Sequence, residues 1–178
     1  MRLAVSAFLA GFVSFCAPAS AADPLTPVRE VMELTVANWS ETGEAWYGIF
    51  EGDRLDRLYA RELADLYRQA SEKAAKTFGS DEPVDPFDYD VVTNSQEGCP
   101  LQDVTLSLAG EKDGVFDVAA TFRLWVCEDM EETRDLVTEV HFDVIEEAGR
   151  PVIRDIHHAL ENGRDSVLAE MKAMLEDE

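Results

Sequence analysis

Two runs of alternating apolar and polar residues, joined by a glycine-bounded turn and bracketed by cysteines, constrain this chain most. Val104-Thr105-Leu106-Ser107-Leu108 and the run from Phe116 to Leu124 both keep period two, the side-chain repeat of a half-buried strand. Gly110-Glu111-Lys112-Asp113-Gly114 between them is a hairpin signal. Folding the chain about that turn opposes residues whose numbers sum to about 225, and those of Cys99 and Cys127 sum to 226. The spacing predicts a disulfide across the hairpin mouth, contributing roughly 3–4 kcal/mol on the chain-entropy account. A metal or redox pair is the competing use, but matching histidines and a Cys-x-x-Cys motif are both missing from the sequence.

A bridge of this kind needs an oxidising compartment, and the first residues supply the address. Arg2, an apolar run from Leu3 to Ala17 and the small-x-small Ala19-Ser20-Ala21 read as a secretory signal over residues 1–21, cut near Ala21 or Ala22. The run is too short to span a bilayer as a helix. Phe15 before Cys16 does not suit lipid attachment at that cysteine. The expected product is one periplasmic or secreted domain over residues 22–178, long enough to bury a core.

Loss of Arg2 with the signal leaves 14 basic residues against 37 acidic ones, a net charge of −23. Such an excess repels nucleic acid and anionic lipid. It favours basic partners or loosely held divalent cations; the partner expected is a small ligand or a basic protein, with no cofactor or resident metal.

The front half of the mature chain has helical periodicity. Thr26-Pro27 is a cap and first-turn pair, and Val28, Val31, Met32, Thr35, Val36 and Trp39 form one apolar stripe. Leu55, Leu58 and Tyr59 suggest a short helix; Leu63, Leu66, Tyr67 and Ala70 mark another running to about Phe78. Beyond the proline-bearing loop of residues 79–86 the period changes to two. Strands are expected at 89–93, in the stapled hairpin, at 136–145 and at 151–157, with an acidic loop at 128–132 and an amphipathic helix at 165–178.

Helices followed by antiparallel strands make an α+β layout: N-terminal helices packed in the concave face of a curved antiparallel sheet, with a C-terminal helix. This order resembles the nuclear transport factor 2-like, or cystatin-like, cone. Three segments are similar to a bacterial exported domain-of-unknown-function family on that fold. They are Leu58-Tyr59-Ala60-Arg61-Glu62-Leu63, the Asp88-Tyr89-Asp90 segment that ends at Gln96-Glu97, and Arg150-Pro151-Val152-Ile153-Arg154-Asp155-Ile156. Val91 stands where that family tends to have proline, and Pro151 where it has tryptophan. The resemblance implies an architecture with a pocket, and no activity.

Within such a pocket, Asp155 and His157 lie two apart on a strand and share a face, with Ile153 beside them. A carboxylate orienting a histidine is the minimal acid–base pair, and Tyr59, Tyr67 or Tyr89 would serve as hydroxyl donor. The opposing expectation is that Asp155 anchors neighbouring backbone and His157 sits at a solvated strand end. His141, His157 and His158 would form a metal site only if their strands bring them to one face. Asp88, Asp90, Asn94 and Glu97 offer oxygens without the spacing of a calcium loop. Trp125 falls on the predicted strand face of Asp117, Thr121 and Arg123, an outer aromatic suited to a protein contact. The expected role is therefore a non-enzymatic binding domain, drawing on Tyr59, Tyr67, Asp88, Tyr89, Asp90, Gln96, Trp125 and Asp155. The alternatives are a small isomerase or hydrolase using Asp155 and His157, and a homodimer across the open sheet face.

Overall fold

The structure, a computed structural model, describes residues 22–42, 46–160 and 162–176. The expected signal segment and Cys16 lie outside the described residues. Three helices come first, α1 (Leu25–Asn38), α2 (Arg54–Leu58) and α3 (Arg61–Phe78). Strands β1 (Gln102–Lys112) and β2 (Val115–Arg123) follow, then the four-residue α4 (Glu131–Arg134), β3 (Thr138–Glu147), β4 (Arg150–Leu160), β5 (Gly163–Arg164) and α5 (Val167–Glu176). No helix among the described residues is long and apolar enough to cross a membrane.

α1 begins before the expected cap. Pro24, not Thr26, is its N-cap, and Asp23 just before it satisfies the first donors: its carboxylate accepts the Leu25 N–H at 3.0 Å and its carbonyl accepts that of Thr26 at 3.1 Å. Pro27 then sits in the first turn, where a missing N–H costs nothing. Val28, Val31, Met32 and Thr35 are buried as the stripe requires, whereas Val36 is exposed. At about 100° per residue, Val36 falls at the stripe's border. α3 ends at Gly79, whose φ of 67° is the left-handed cap that favours glycine.

The strands form one antiparallel meander in the order β1-β2-β3-β4-β5. Asp113 and Gly114, with φ of 53° and 79°, turn the first hairpin in two residues, and Ala148 and Gly149, at 53° and 76°, turn that between β3 and β4. Two consecutive positive φ values give the mirror-image turn whose twist suits a hairpin. The disulfide Cys99–Cys127 closes the mouth of the first hairpin with Cα atoms 5.8 Å apart.

Val118, Ala120 and Phe122 of β2, Val140, Phe142 and Val144 of β3, and Ile153 and Ile156 of β4 face one core. Val28, Val31, Met32, Leu58, Leu63 and Met171 of the helices belong to the same cluster. α1 touches β1, β2 and β4, while α5 touches α3 and β4. Burying each such aliphatic side chain contributes roughly 1.5–3 kcal/mol.

Three strand expectations change. Residues 89–93 are a turn: Asp90 accepts the N–H groups of Val92 and Thr93 on one carboxylate oxygen, at 2.8 and 3.0 Å, and that of Asn94 on its carbonyl. An aspartate that satisfies local backbone in this way outcompetes a ladder. β4 runs three residues past the expected end, so His157 and His158 lie within it. Finally, Asp155 pairs with Asp143 but Ile153 pairs with Val144, leaving Arg154 as an extra residue. This bulge breaks period two. Ile153 therefore faces the core while Asp155 and His157 share the other face.

Candidate functional site

The segment after Phe87 organises a cleft of about 340 Å³ lined by Trp39, Trp46, Phe87, Asp88, Tyr89 and Gln96, among others. Each wall has a local cause. Trp39 follows the last turn of α1 and donates its indole N–H to the second oxygen of Asp90 at 2.9 Å. Asn38 donates to the Tyr47 carbonyl at 2.8 Å and accepts the Tyr47 N–H at 3.0 Å, which pins the neighbouring Trp46 against Trp39. The two indoles meet edge to face, with centroids 6.1 Å apart. With both amide ends engaged and 8 % exposure, Asn38 is no glycan acceptor despite its Asn-Trp-Ser sequence.

Tyr89 is half-buried, and its hydroxyl donates to Glu170 of α5 at 2.5 Å. Burial first, and Glu170 second, push that phenol upward, so it stays a donor. Asp88 is exposed, and its carboxylate has no hydrogen bond or ion pair among the described residues. Gln96 is likewise exposed. The cleft is thus lined by indole and phenol rings beside one unengaged carboxylate, a pairing suited to a cation.

The remaining expected residues divide. Tyr59 and Tyr67 are core residues, packed on Phe50 with centroids 4.8 and 4.6 Å from it. Tyr59 is 1 % exposed and its hydroxyl has no partner among the described residues. A parallel bridge fixes it there, since Ala60 donates its N–H to Ile153 at 2.8 Å. Burial raises both phenols. Trp125 lies beyond the end of β2, where period two no longer applies. It packs partly on the core and lines a second depression with Tyr89, Gln96 and Glu97 rather than standing on the outer sheet face.

Asp155 is tied to the start of α5. One oxygen accepts the N–H groups of Ile156 and Leu168, at 2.8 and 2.9 Å, and the other accepts the Ser166 hydroxyl at 2.6 Å. His157 Nε2 stands 3.6 Å from Asp155 and 3.5 Å from Asp143, and Nδ1 is 2.6 Å from the Asp165 carbonyl. Asp143 chiefly, with that carbonyl and Asp155, raises the His157 pKa to about 9 against the opposing effect of burial.

Asp117, Asp143 and Asp155 stand opposite one another on β2, β3 and β4. Like charges so placed repel, and cations from the same face offset them. Arg164 reaches Asp117 at 3.0 Å and Arg154 reaches Asp143 at 2.5 Å. His141 sits between Asp117 and Glu139, 2.6 Å from each. Burial raises the Asp117 carboxyl, but His141 and Arg164 together outweigh it and hold it below the usual range. The His157 contact, then that of Arg154, hold Asp143 low against its burial. His158 lies on the other face, with Nδ1 3.0 Å from Asp165 and Nε2 3.2 Å from the Val92 carbonyl, so the three histidines do not converge.

The sequence pattern singled out Asp88, Tyr89, Asp90 and Gln96 but read Trp39 as core and attached no role to Trp46. Their convergence depends on contacts 51 residues apart in the chain, as in Trp39–Asp90, which no local period reveals. Comparison with known protein-family models, curated proteins and solved structures finds no match to this chain.

Proposed function

We propose that this chain is an exported, non-enzymatic binding domain that takes a cationic group of its ligand into the cleft between Trp39, Trp46 and Tyr89. The observation that carries this reading is the cleft itself, where four aromatic rings, those of Trp39, Trp46, Phe87 and Tyr89, stand beside the unengaged carboxylate of Asp88. A cation over an aromatic face gains about 0.5–2 kcal/mol, more as water is excluded. The net charge adds a long-range attraction that speeds encounter. Export rests on the secretory pattern of residues 1–21 and agrees with a disulfide that persists in oxidising compartments. The helix-then-meander order and the Tyr59–Ile153 bridge support a nuclear transport factor 2-like cone as the scaffold.

The acid–base alternative has less support. With a pKa near 9, His157 is an imidazolium at neutral pH and has no lone pair with which to take a proton. Both oxygens of Asp155 are engaged in holding α5.

Titration with acetyl-arginine amide and with choline, followed by tryptophan fluorescence and NMR shifts, tests the proposal. Binding is expected to weaken about 10-fold or more in Trp46→Ala and in Asp88→Asn, both exposed positions. Saturable binding that ignores both substitutions, or no binding of either probe, would overturn it.

A further inference from the structure

Ser95 lines not only the cation cleft but two further depressions that adjoin it. One contains Trp125 and Glu97; the other contains Trp125, Leu124 and Val137 and has a volume of about 330 Å³. Leu124, Trp125 and Val137 form its apolar part beside Asn94, Glu139 and His158, and Val137 and its chain neighbour Leu136 are 64 and 54 % exposed. Thr93, on the wall of the same depression, is 3 % exposed and its hydroxyl has no hydrogen-bond partner among the described residues. Acidic side chains line both depressions, Glu97 in one and Glu139 in the other, and the exposed Glu128, Asp129, Glu131 and Glu132 lie in the segment that joins Trp125 to Val137. The neighbouring cation, Arg134, lies 3.7 Å from Asp135.

Resting on the cleft reading, we infer that the occupant is a basic, extended segment of a partner protein. It places a cationic side chain between Trp39 and Trp46 and lays apolar side chains beyond Ser95 on Trp125, Val137 and Leu136. A small amine fills only the first depression and leaves Trp125 and Val137 wet. A second copy of this chain brings the same acidic side chains and the same net charge, so it is repelled. A cationic segment meets opposite charge at Asp88, Glu97 and Glu139, and each apolar side chain it buries adds to the affinity. Acidic side chains beside apolar ones also select against acidic partners.

The test uses the mature protein and two nine-residue peptides, each spanning up to about 30 Å when extended. Both carry arginine at one end and glycine spacers, and they differ in leucine or serine at two positions toward the other end. Both chain directions are made. The leucine peptide is expected to bind about 10-fold tighter than the serine peptide, a difference that Leu136→Ser with Val137→Ser cuts to about two-fold or less. Acetyl-arginine amide binding is expected to be unchanged in that double variant, which shows the cleft intact. Equal affinity of the two peptides, or a leucine advantage that survives the double substitution, would refute the peptide partner and leave the cation cleft standing. Failure of acetyl-arginine amide itself to bind would remove both.

Discussion

Asp155 accepts the Ser166 hydroxyl at 2.6 Å, and Ser166 in turn accepts the Ala169 N–H at 2.9 Å, so one buried carboxylate governs the N-terminus of α5. The same carboxylate takes the Leu168 N–H at 2.9 Å. Asp155→Ala leaves those donors unsatisfied and is expected to destabilise the fold by about 2–4 kcal/mol. Ser166→Ala removes only the relay and should cost about 1 kcal/mol. Urea unfolding followed by circular dichroism measures both. Equal effects of the two substitutions would contradict the hierarchy. The consequence for function is practical: lost activity in an Asp155 variant would report a loosened helix before it reported chemistry.

His157 and Asp143 make stability depend on pH in opposite directions. His157 has a folded pKa near 9 against about 6.5 unfolded, so its contribution is complete below about pH 6.5 and vanishes as pH rises through 9. Asp117 and Asp143 are held low, so their contribution is present above about pH 4 and is lost as acid protonates them. The urea midpoint is expected to be flat near pH 5–6.5 and to fall on both sides. His157→Gln should flatten the alkaline decline, which is on the order of 2 kcal/mol. An unchanged decline in that variant would show that another group carries it.

How much of this was legible in the sequence follows from what each residue answers to. Val118, Phe142 and Ile156 answer to one nearby core, so period two located their strands and the register that joins Cys99 to Cys127. Arg154 answers to the acids of a neighbouring strand, and the bulge that accommodates it is silent in the apolar pattern. Period two therefore misplaced Ile153 beside Asp155. Val91 and Val92 look like strand residues, but Asp90 recruits their backbone into a turn. The cleft was half visible: Asp88, Tyr89, Asp90 and Gln96 sit together in the chain, whereas Trp39 and Trp46 join them only through tertiary hydrogen bonds.

The disulfide closes a loop whose ends are 28 residues apart, and Cys127 is exposed whereas Cys99 is 1 % exposed. Reduction should therefore proceed without prior unfolding and lower stability by about 3–4 kcal/mol. Cys127→Ser should reproduce the loss in oxidising buffer. Mass spectrometry of alkylated, unreduced protein is expected to find neither thiol modified. Modification of both would remove the covalent support for the first hairpin's register.

Asp90 connects the scaffold to the proposed cleft and separates the two by substitution. Its first oxygen holds the Val92 and Thr93 N–H groups, and its second holds the Trp39 indole. Asp90→Asn keeps a carbonyl oxygen for the backbone pair but turns an amide toward the indole N–H, donor against donor. Stability should fall by no more than about 1 kcal/mol, because two of the three bonds remain. Trp39 loses its anchor, however, and acetyl-arginine amide should bind several-fold more weakly. Asp90→Ala removes all three bonds and is expected to cost about 2–3 kcal/mol as well as the binding. Paired urea and fluorescence titrations separate the two effects: if Asp90→Asn binds like the parent protein, Trp39 is not positioned by Asp90 for the ligand, and the indole of Trp46 alone forms that wall.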